Sequence, residues 1–147
     1  MTSLSFHSPL GPLTLFEEDG AIIVLEWGRG PEDESSPLLN EAKKQLDAYF
    51  DRKLTTFDLP LAPPGTDFQN RVWQSMRKIP YGETRTYGDL AQDISSGARP
   101  VGTACGRNPI PIIIPCHRVV ASTGLGGYTG QGGLETKTYL LKLEGRH

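Results

Sequence analysis

Thr86-Tyr87-Gly88-Asp89-Leu90-Ala91-Gln92-Asp93-Ile94-Ser95-Ser96-Gly97-Ala98-Arg99-Pro100-Val101-Gly102-Thr103-Ala104-Cys105-Gly106 holds two short helical patterns separated by a breaker. Thr86 with Asp89 three residues on can cap a helix whose inner side is Tyr87, Leu90, Ala91 and Ile94. Ser95-Ser96-Gly97 ends it after about two turns. A second helix follows, with Pro100 tolerated in its first turn and Val101, Ala104 and Cys105 on its apolar side. Gly106 and Asn108-Pro109 close it. Helix, tight turn, helix is a helix-turn-helix pattern. Most such pairs only pack together. Arg99 at the start of the second helix and Arg107 near its end favour a nucleic-acid reading.

Toward the amino terminus, Thr66 and Gln69 form a capping-box signature, and Phe68, Val72, Met76 and Ile79 share one helical stripe that Pro80 stops. Before it, Leu59-Pro60-Leu61-Ala62-Pro63-Pro64-Gly65 is poor in donors and hostile to helix and sheet, so residues 61–65 read as a linker. Residues 1–60 read as a small α/β structural domain and 66–147 as the domain that carries function. In the first, Leu13 to Phe16, a turn at Glu17-Glu18-Asp19-Gly20 and Ile22 to Leu25 predict an antiparallel hairpin. Ser36 as cap and Pro37 as first helical residue precede Leu39, Ala42, Leu46, Tyr49 and Phe50 at helical spacing, so a helix packs on that sheet.

A chain of 147 residues is long enough for a core without staples. Its 37% hydrophobic and 22% charged content is that of a globular protein, with no apolar run of membrane-spanning length. Residues 1–12 lack the order of a secretory signal, and two cysteines build no disulfide framework, so a reducing, cytoplasmic setting is expected, nuclear in a eukaryote. The net charge of −2 hides an asymmetry: residues 1–60 carry five Lys or Arg against eleven Asp or Glu, whereas residues 61–147 carry ten against six. A polyanion should meet the second segment.

Toward the carboxyl terminus, Ile110-Pro111-Ile112-Ile113-Ile114-Pro115 reads as a stiff apolar strand delivering Cys116-His117-Arg118. A cysteine is a nucleophile as thiolate, so its free pKa of roughly 8.5 must fall, and neighbouring cations such as His117 and Arg118 favour that. Adjacent residues on an extended chain face opposite sides, so proximity in sequence establishes no hydrogen bond, although a water can bridge. A lone cysteine after an apolar run is more often a small core residue. Cys105, on the apolar side of its helix, is assigned that packing role.

The decapeptide Ile110 to Val119, Ile-Pro-Ile-Ile-Ile-Pro-Cys-His-Arg-Val, resembles the active-site segment of the O6-alkylguanine-DNA alkyltransferases, the methylated-DNA–protein-cysteine methyltransferases. The resemblance extends through Arg71-Val72-Trp73, Ile79 to Thr84, Tyr87 to Ala91, Arg99, Asn108-Pro109, Gly127-Tyr128 and Leu140 to Gly145, essentially the whole second segment. The first segment, through Pro9 to Leu13 and its hairpin, is similar to the family's small ribonuclease-H-like domain. The fold so implied is α+β: a small antiparallel sheet plus helix, followed by a mostly helical, winged-helix-like helix-turn-helix domain.

What the resemblance implies is repair of O6-alkylguanine, and of O4-alkylthymine, by irreversible single-turnover transfer to Cys116. Double-stranded DNA would be held through its minor groove by a monomer, with the damaged base flipped out. His117 at the matching position takes the thiol proton through water, Glu144 orients it, Tyr87 is the general acid, and Asn108 braces the turn. Arg99 matches the finger that fills the vacated stack, and Gly102, Thr103 and Ala104 permit close approach to DNA. The carbonyls of Cys116 and Val119 match acceptors for the guanine amine, and Tyr128 and Thr129 match the alkyl-pocket wall. Taken without the family, Tyr87 is a buried helix aromatic, Glu144 a solvated helix-end charge, Asn108 a helix cap, and Gly102 to Ala104 ordinary packing. Arg118 is a structural or electrostatic partner. One departure is Thr129-Gly130-Gln131-Gly132-Gly133, longer and richer in glycine than the family loop, which predicts a mobile wall tolerant of alkyl groups bulkier than methyl.

Three other readings compete. A non-reactive alkyltransferase-like lesion binder would replace the cysteine, and Cys116 is present. A helix-turn-helix regulator would carry base-reading polar side chains along Pro100 to Gly106, where Gly, Thr and Ala dominate. A cysteine hydrolase would need an orienting constellation that is not evident in sequence. His7, His117 and His147 with two cysteines offer no zinc spacing, so neither metal nor cofactor is expected.

Overall fold

The computed structural model describes residues 2–31, 35–128 and 130–145. The chain forms an α+β fold in two compact units, Met1–Pro64 and Gly65–His147.

In the first unit β1 (Thr2–Ser8), β2 (Gly11–Glu18) and β3 (Ala21–Trp27) form an antiparallel sheet in the order β1-β2-β3. The hairpin turn is tighter than expected. Glu17 and Glu18 continue β2, and only Asp19 (φ 51°) and Gly20 (φ 78°) turn the chain. Positive φ at both central residues is the two-residue geometry whose twist matches the flanking strands, and Asp-Gly suits it. The helix α1 (Pro37–Phe50) starts as the sequence predicts: Ser36 Oγ accepts from Leu39 N–H at 3.0 Å, and Leu39, Ala42, Leu46, Tyr49 and Phe50 are buried.

Strand β1 has no counterpart in the sequence reading because the residues it buries include polar ones. Ser3, Ser5 and Thr14 are buried, and Ser5 and Thr14 share a hydroxyl–hydroxyl hydrogen bond of 2.8 Å. Thr14 also accepts from Gly30 N–H at 2.8 Å and donates to Gly28 O at 2.9 Å. The sheet is thus tied to the following loop by hydroxyls where an apolar pattern would have been the usual signal. The Pro-rich stretch is likewise less hostile to sheet than expected. Ile22 N–H donates to Pro60 O and accepts at its own carbonyl from Ala62 N–H, both at 2.9 Å, bracketing Leu61 in a parallel bridge. Prolines lack donors, but their carbonyls still accept.

The second unit contains α2 (Asp67–Arg77), β4 (Arg85–Thr86), α3 (Tyr87–Asp93), α4 (Ala98–Gly106), β5 (Val119–Val120) and α5 (Leu134–Leu143). Both capping boxes form, Thr66 with Gln69 and Thr86 with Asp89. Helix α2 packs on α4 through buried Val72, Trp73 and Met76, and Trp73 Nε1–H donates to Ala104 O at 2.9 Å. Arg71 Nη2 donates to Ile94 O at 2.7 Å, closing the end of α3 before the Ser95-Ser96-Gly97 turn. The parallel pair β4–β5 places Arg85 opposite Val119 and Thr86 opposite Val120, bringing the start of α3 beside the chain that follows Cys116.

Replacing Thr14 by Val keeps its volume but removes the hydroxyl donor to the Gly28 carbonyl and leaves the Gly30 N–H with only its longer bond to Ser5 Oγ. We expect a loss of about 1–3 kcal/mol in urea unfolding followed by circular dichroism. A Thr14→Val variant as stable as the parent would contradict the hydroxyl network.

Candidate active site

Residues 110–115 are not the extended strand that the sequence predicts. Ile113 N–H donates to Pro111 O at 2.9 Å across Ile112, whose φ is 73°, which makes a γ-turn. Cys116 N–H donates to Ile114 O at 2.8 Å across Pro115 (φ −82°, ψ 69°), an inverse γ-turn. Asn108 clasps the chain on either side of the first turn: its Nδ2 donates to Ile114 O, the acceptor of the second turn, at 2.8 Å and its Oδ1 accepts from Ile110 N–H at 2.9 Å. A β-branched residue at positive φ costs on the order of 1–3 kcal/mol. The full burial of Ile110, Ile112 and Ile114 holds it there. An apolar run with prolines at both ends suits such a compact loop as well as a strand, and periodicity cannot separate them.

The turn releases the chain into a 3₁₀ turn, Cys116–Arg118, so Cys116 and His117 do not alternate sides as on a strand. The side chains of His117 and Glu144 are fully buried. Glu144 Oε2 accepts from His117 Nε2–H at 2.7 Å and from Arg118 Nη2 at 3.1 Å, while Oε1 accepts from Arg118 Nε at 2.9 Å and Gly82 N–H at 3.2 Å. Arg118 also donates from Nη1 to Ile79 O at 2.8 Å and lies 5.8 Å from the Tyr81 ring centre. Glu144 is therefore no solvated helix-end charge. It sits at the carboxyl end of α5, where the helix dipole opposes it, and the bidentate guanidinium supplies the compensation.

Burial pushes the His117 pKa down, against the opposing pull of Glu144. The ring is neutral near pH 7, with its proton on Nε2 facing the carboxylate, and Nδ1 has no hydrogen-bond partner among the described residues. A bare imidazole nitrogen is a proton acceptor. Burial likewise pushes the Cys116 thiol up, opposed by hydrogen bonds from Asn108 and Tyr128 and by the charge of Lys137. The expectation that Arg118 favours the thiolate is thus corrected: its guanidinium is spent on Glu144, and the helpful cation comes from α5. An isolated thiolate is costly at this position, so Cys116 rests as a thiol. The same geometry supplies the orienting constellation whose absence counted against a cysteine hydrolase.

Cys116 opens on a cavity of about 110 Å³ walled by Tyr87 of α3, Gly102, Cys105 and Gly106 of α4, and Gly127-Tyr128. That is near the roughly 150 Å³ of an apolar cavity that admits benzene. Tyr87 is half-exposed toward the cavity and not packed in the core, and burial raises its pKa, so its hydroxyl stays protonated. Gly126 (φ 74°) lies so close that a Cβ there would come within 3.0 Å of the Tyr87 ring. Cys105 packs against Met76 as expected, Sγ to Sδ 3.5 Å, and is held as a thiol with its pKa pushed up to about 12. It also lines the cavity, which the sequence reading missed.

Arg99 and Thr103 are exposed on α4 and Gly102 is half-buried. Ala104, expected on the DNA-facing side, is only 2% exposed and faces the core, so it cannot line that surface. Val119 is buried, and its carbonyl accepts from Lys137 Nζ at 2.7 Å. Thr129 and His147 lie outside the described residues. The following glycines are not a free wall. Gly133 N–H donates to Gly130 O at 3.0 Å, Thr136 Oγ1 bonds Gln131 O, and a Cβ on Gly132 would collide with Thr136 Oγ1. Positive φ at Gly132 and Gly133 serves a hydrogen-bonded entry to α5. Lys137, absent from the sequence reading, is fully buried, and its Nζ also donates to the carbonyls of Leu125 and Gly127. Its signal was positional: a lysine three and four residues before Leu140 and Leu141, on the apolar face of a helix. Among the described residues no three His, Cys, Asp or Glu side chains gather as metal ligands, and no helix is long and apolar enough to cross a membrane.

Residues 67–146 match the DNA binding domain of 6-O-methylguanine DNA methyltransferase, and residues 3–63 match that family's ribonuclease-like domain. The chain belongs to this family. It is 44% identical to the methylated-DNA–protein-cysteine methyltransferase of Methanosarcina acetivorans, over 95% of this chain and 96% of the relative. To the constitutive enzyme of that name from Bacillus subtilis it is 42% identical, over 94% and 92%. Among solved structures it matches Mycobacterium tuberculosis OGT in complex with DNA with a TM-score of 0.87 at 45% identity, covering 98% of this chain and 92% of that one. Within the methyltransferase family's fold, the reactive turn, the helix-turn-helix and α5 are thus parts of one matched domain.

Because the folded-state pKa of His117 is depressed, the unfolded chain takes up a proton near pH 6.5 that the folded chain refuses. Stability therefore falls as pH drops from 7.5 to 5.5. Urea unfolding across that range should show a shallower slope for His117→Gln than for the parent; equal slopes would mean that His117 is not held neutral.

Proposed function

We propose that this chain repairs DNA by moving the alkyl group of O6-alkylguanine onto Cys116 Sγ, once per molecule. The observation that carries the reading is the Cys116–His117–Glu144 arrangement opening on a small cavity beside Tyr87, in a chain whose family is named for methyl transfer from DNA to a cysteine.

His117 Nδ1 takes the thiol proton, directly or through one water, while Glu144 holds the ring and stabilises the imidazolium. The sulfur attacks the alkyl carbon in line. The carbon–oxygen bond breaks with its electron pair going to the guanine, the Tyr87 hydroxyl donates a proton to the ring system as charge develops, and the imidazolium gives up its proton as the tyrosine regains one through solvent, so the thiol proton ends on the guanine. The products are unmodified guanine and a thioether. A thioether is a poor leaving group and nothing in the site attacks it, so the chain is consumed. Asn108, by pinning the carbonyl of Ile114, fixes where the sulfur points.

A base still stacked in a duplex hides its O6 alkyl carbon from a sulfur set in a recess between two helices, which supports flipping. Helix α4 supports the DNA contact: it lines the cavity with Gly102, Cys105 and Gly106 and presents Arg99 and Thr103 to solvent. Arg99, planar and permanently charged, would occupy the vacated stack from the minor groove. Cys116 and Val119 carbonyls, with Tyr128 as wall, would select the guanine. Every group named comes from one chain, which supports a monomer. The Met1–Pro64 unit contributes none of them, in keeping with a structural role, and a chemistry that needs a reduced Cys116 fits the cytoplasm or a nucleus.

Mixing the protein with duplex DNA carrying one O6-methylguanine should give a single added methyl, mapped to Cys116, with none on Cys116→Ala. Tyr87→Phe should slow transfer on the order of 10²-fold while still binding DNA. Lesion binding with Cys116 unmodified would overturn the proposal in favour of a non-reactive lesion-recognition protein.

A further inference from the structure

A second cavity, of about 310 Å³, is walled by residues that take no part in the site above. Its size is at the lower end of small-molecule sites, roughly 300–1,000 Å³. Val120 of β5, Gly124-Leu125 and Leu141 of α5 form a predominantly apolar body, and Thr84, Thr138 and Lys142 supply the polar groups. Lys142 is exposed and makes no ion pair among the described residues. Leu125 is 39% and Leu134 48% exposed, two of the three large apolar side chains that the described residues leave in water. Leu134, Thr138 and Leu141 recur at i, i+4 and i+7, so they share the face of α5 that lines this cavity.

An apolar recess with one unspent cation and a hydroxyl at its edge selects a particular chemistry. A phosphate of the DNA backbone would satisfy Lys142 but leave the leucine wall against a charged, hydrated group. A neutral hydrocarbon would fill the wall but gain nothing from the exposed ammonium at its edge. We propose that this cavity binds a small amphiphilic carboxylate, its alkyl body against Val120, Leu125 and Leu141 and its carboxylate at Lys142 and the Thr138 hydroxyl.

The site is mechanically joined to the reactive cavity. Lys137 Nζ binds the carbonyls of Val119, Leu125 and Gly127, so one ammonium pins the segments that wall both cavities. A ligand seated on Leu125 bears on a loop in which Gly127-Tyr128, beginning two residues on, wall the Cys116 cavity. This coupling, though not the binding, gains meaning from the reading of Cys116 as alkyl acceptor.

Titration of the intact protein with octanoate, read on the ¹³C-methyl resonances of Val120, Leu125 and Leu141, should give saturable shifts, with Tyr128 ring resonances moving at the same midpoint. Octanol should bind at least about fivefold more weakly, a difference that Lys142→Gln removes. Thr138→Trp, at a part-exposed helical position, should fill the cavity and abolish both titrations. No saturable shift, equal affinity for octanoate and octanol, or a titration unchanged in Thr138→Trp would overturn the site. A still Tyr128 ring would overturn the coupling. Since binding is read on methyl groups and not on transfer, a negative result leaves the assignment of Cys116 to be judged by its own experiment.

Discussion

The carboxylate of Glu144, buried at the end of α5 and receiving four hydrogen bonds, is the constraint on which the rest of the second unit depends. It reaches the 3₁₀ turn through His117 and Arg118 and the turn after α2 through Gly82. Arg118 in turn reaches the Ile79 carbonyl, so three segments distant in sequence are fixed to one charged group. A buried ion pair of this kind is weak evidence for stability, because desolvation offsets most of its attraction. Its value here is positional. It sets which histidine nitrogen carries the proton and leaves the other facing away from the carboxylate.

Around that anchor the chain is folded tightly enough to hold a strained residue. Ile112 at positive φ, buried among Ile110 and Ile114 and braced by Asn108, converts an apolar run into two successive γ-turns that present Cys116 at the edge of a cavity. The thiol, the neutral imidazole and the protonated tyrosine are each kept uncharged by burial. With these three groups uncharged, the standing charge of the buried site is confined to Glu144, Arg118 and Lys137, each held by hydrogen bonds. The site is also spared an exposed, oxidisable thiolate.

Much of this was legible in the sequence where local chemistry dictates local structure. Ser36-Pro37, Thr66 with Gln69 and Thr86 with Asp89 mark helix starts because a side-chain oxygen three residues ahead of an N–H admits few other uses. Family resemblance brought together Cys116, His117, Glu144, Asn108 and Tyr87, which spacing alone would have left as core residues and surface charges. What stayed hidden depends on contacts between distant residues. Strand β1 buries serines whose partners lie on β2 and the loop after β3. Lys137 is a surface residue by composition and a buried one by its three carbonyl ligands. Ala104 belongs to the core and not to the DNA-facing side because Trp73 packs behind it. The glycines at 130–133 read as plain loop in the sequence, and the contacts that tie them to the start of α5 run through Thr136.

The central claim is that Glu144 fixes the tautomer of His117 so that Nδ1 is the proton acceptor for Cys116. It is tested most directly by the ¹⁵N resonances of His117 in protein labelled at histidine, at neutral pH. The account predicts a neutral ring with the proton on Nε2 and an unprotonated Nδ1, the preference weakening in Glu144→Gln. A resting ring protonated on Nδ1 would place the acceptor on the wrong side and contradict the mechanism.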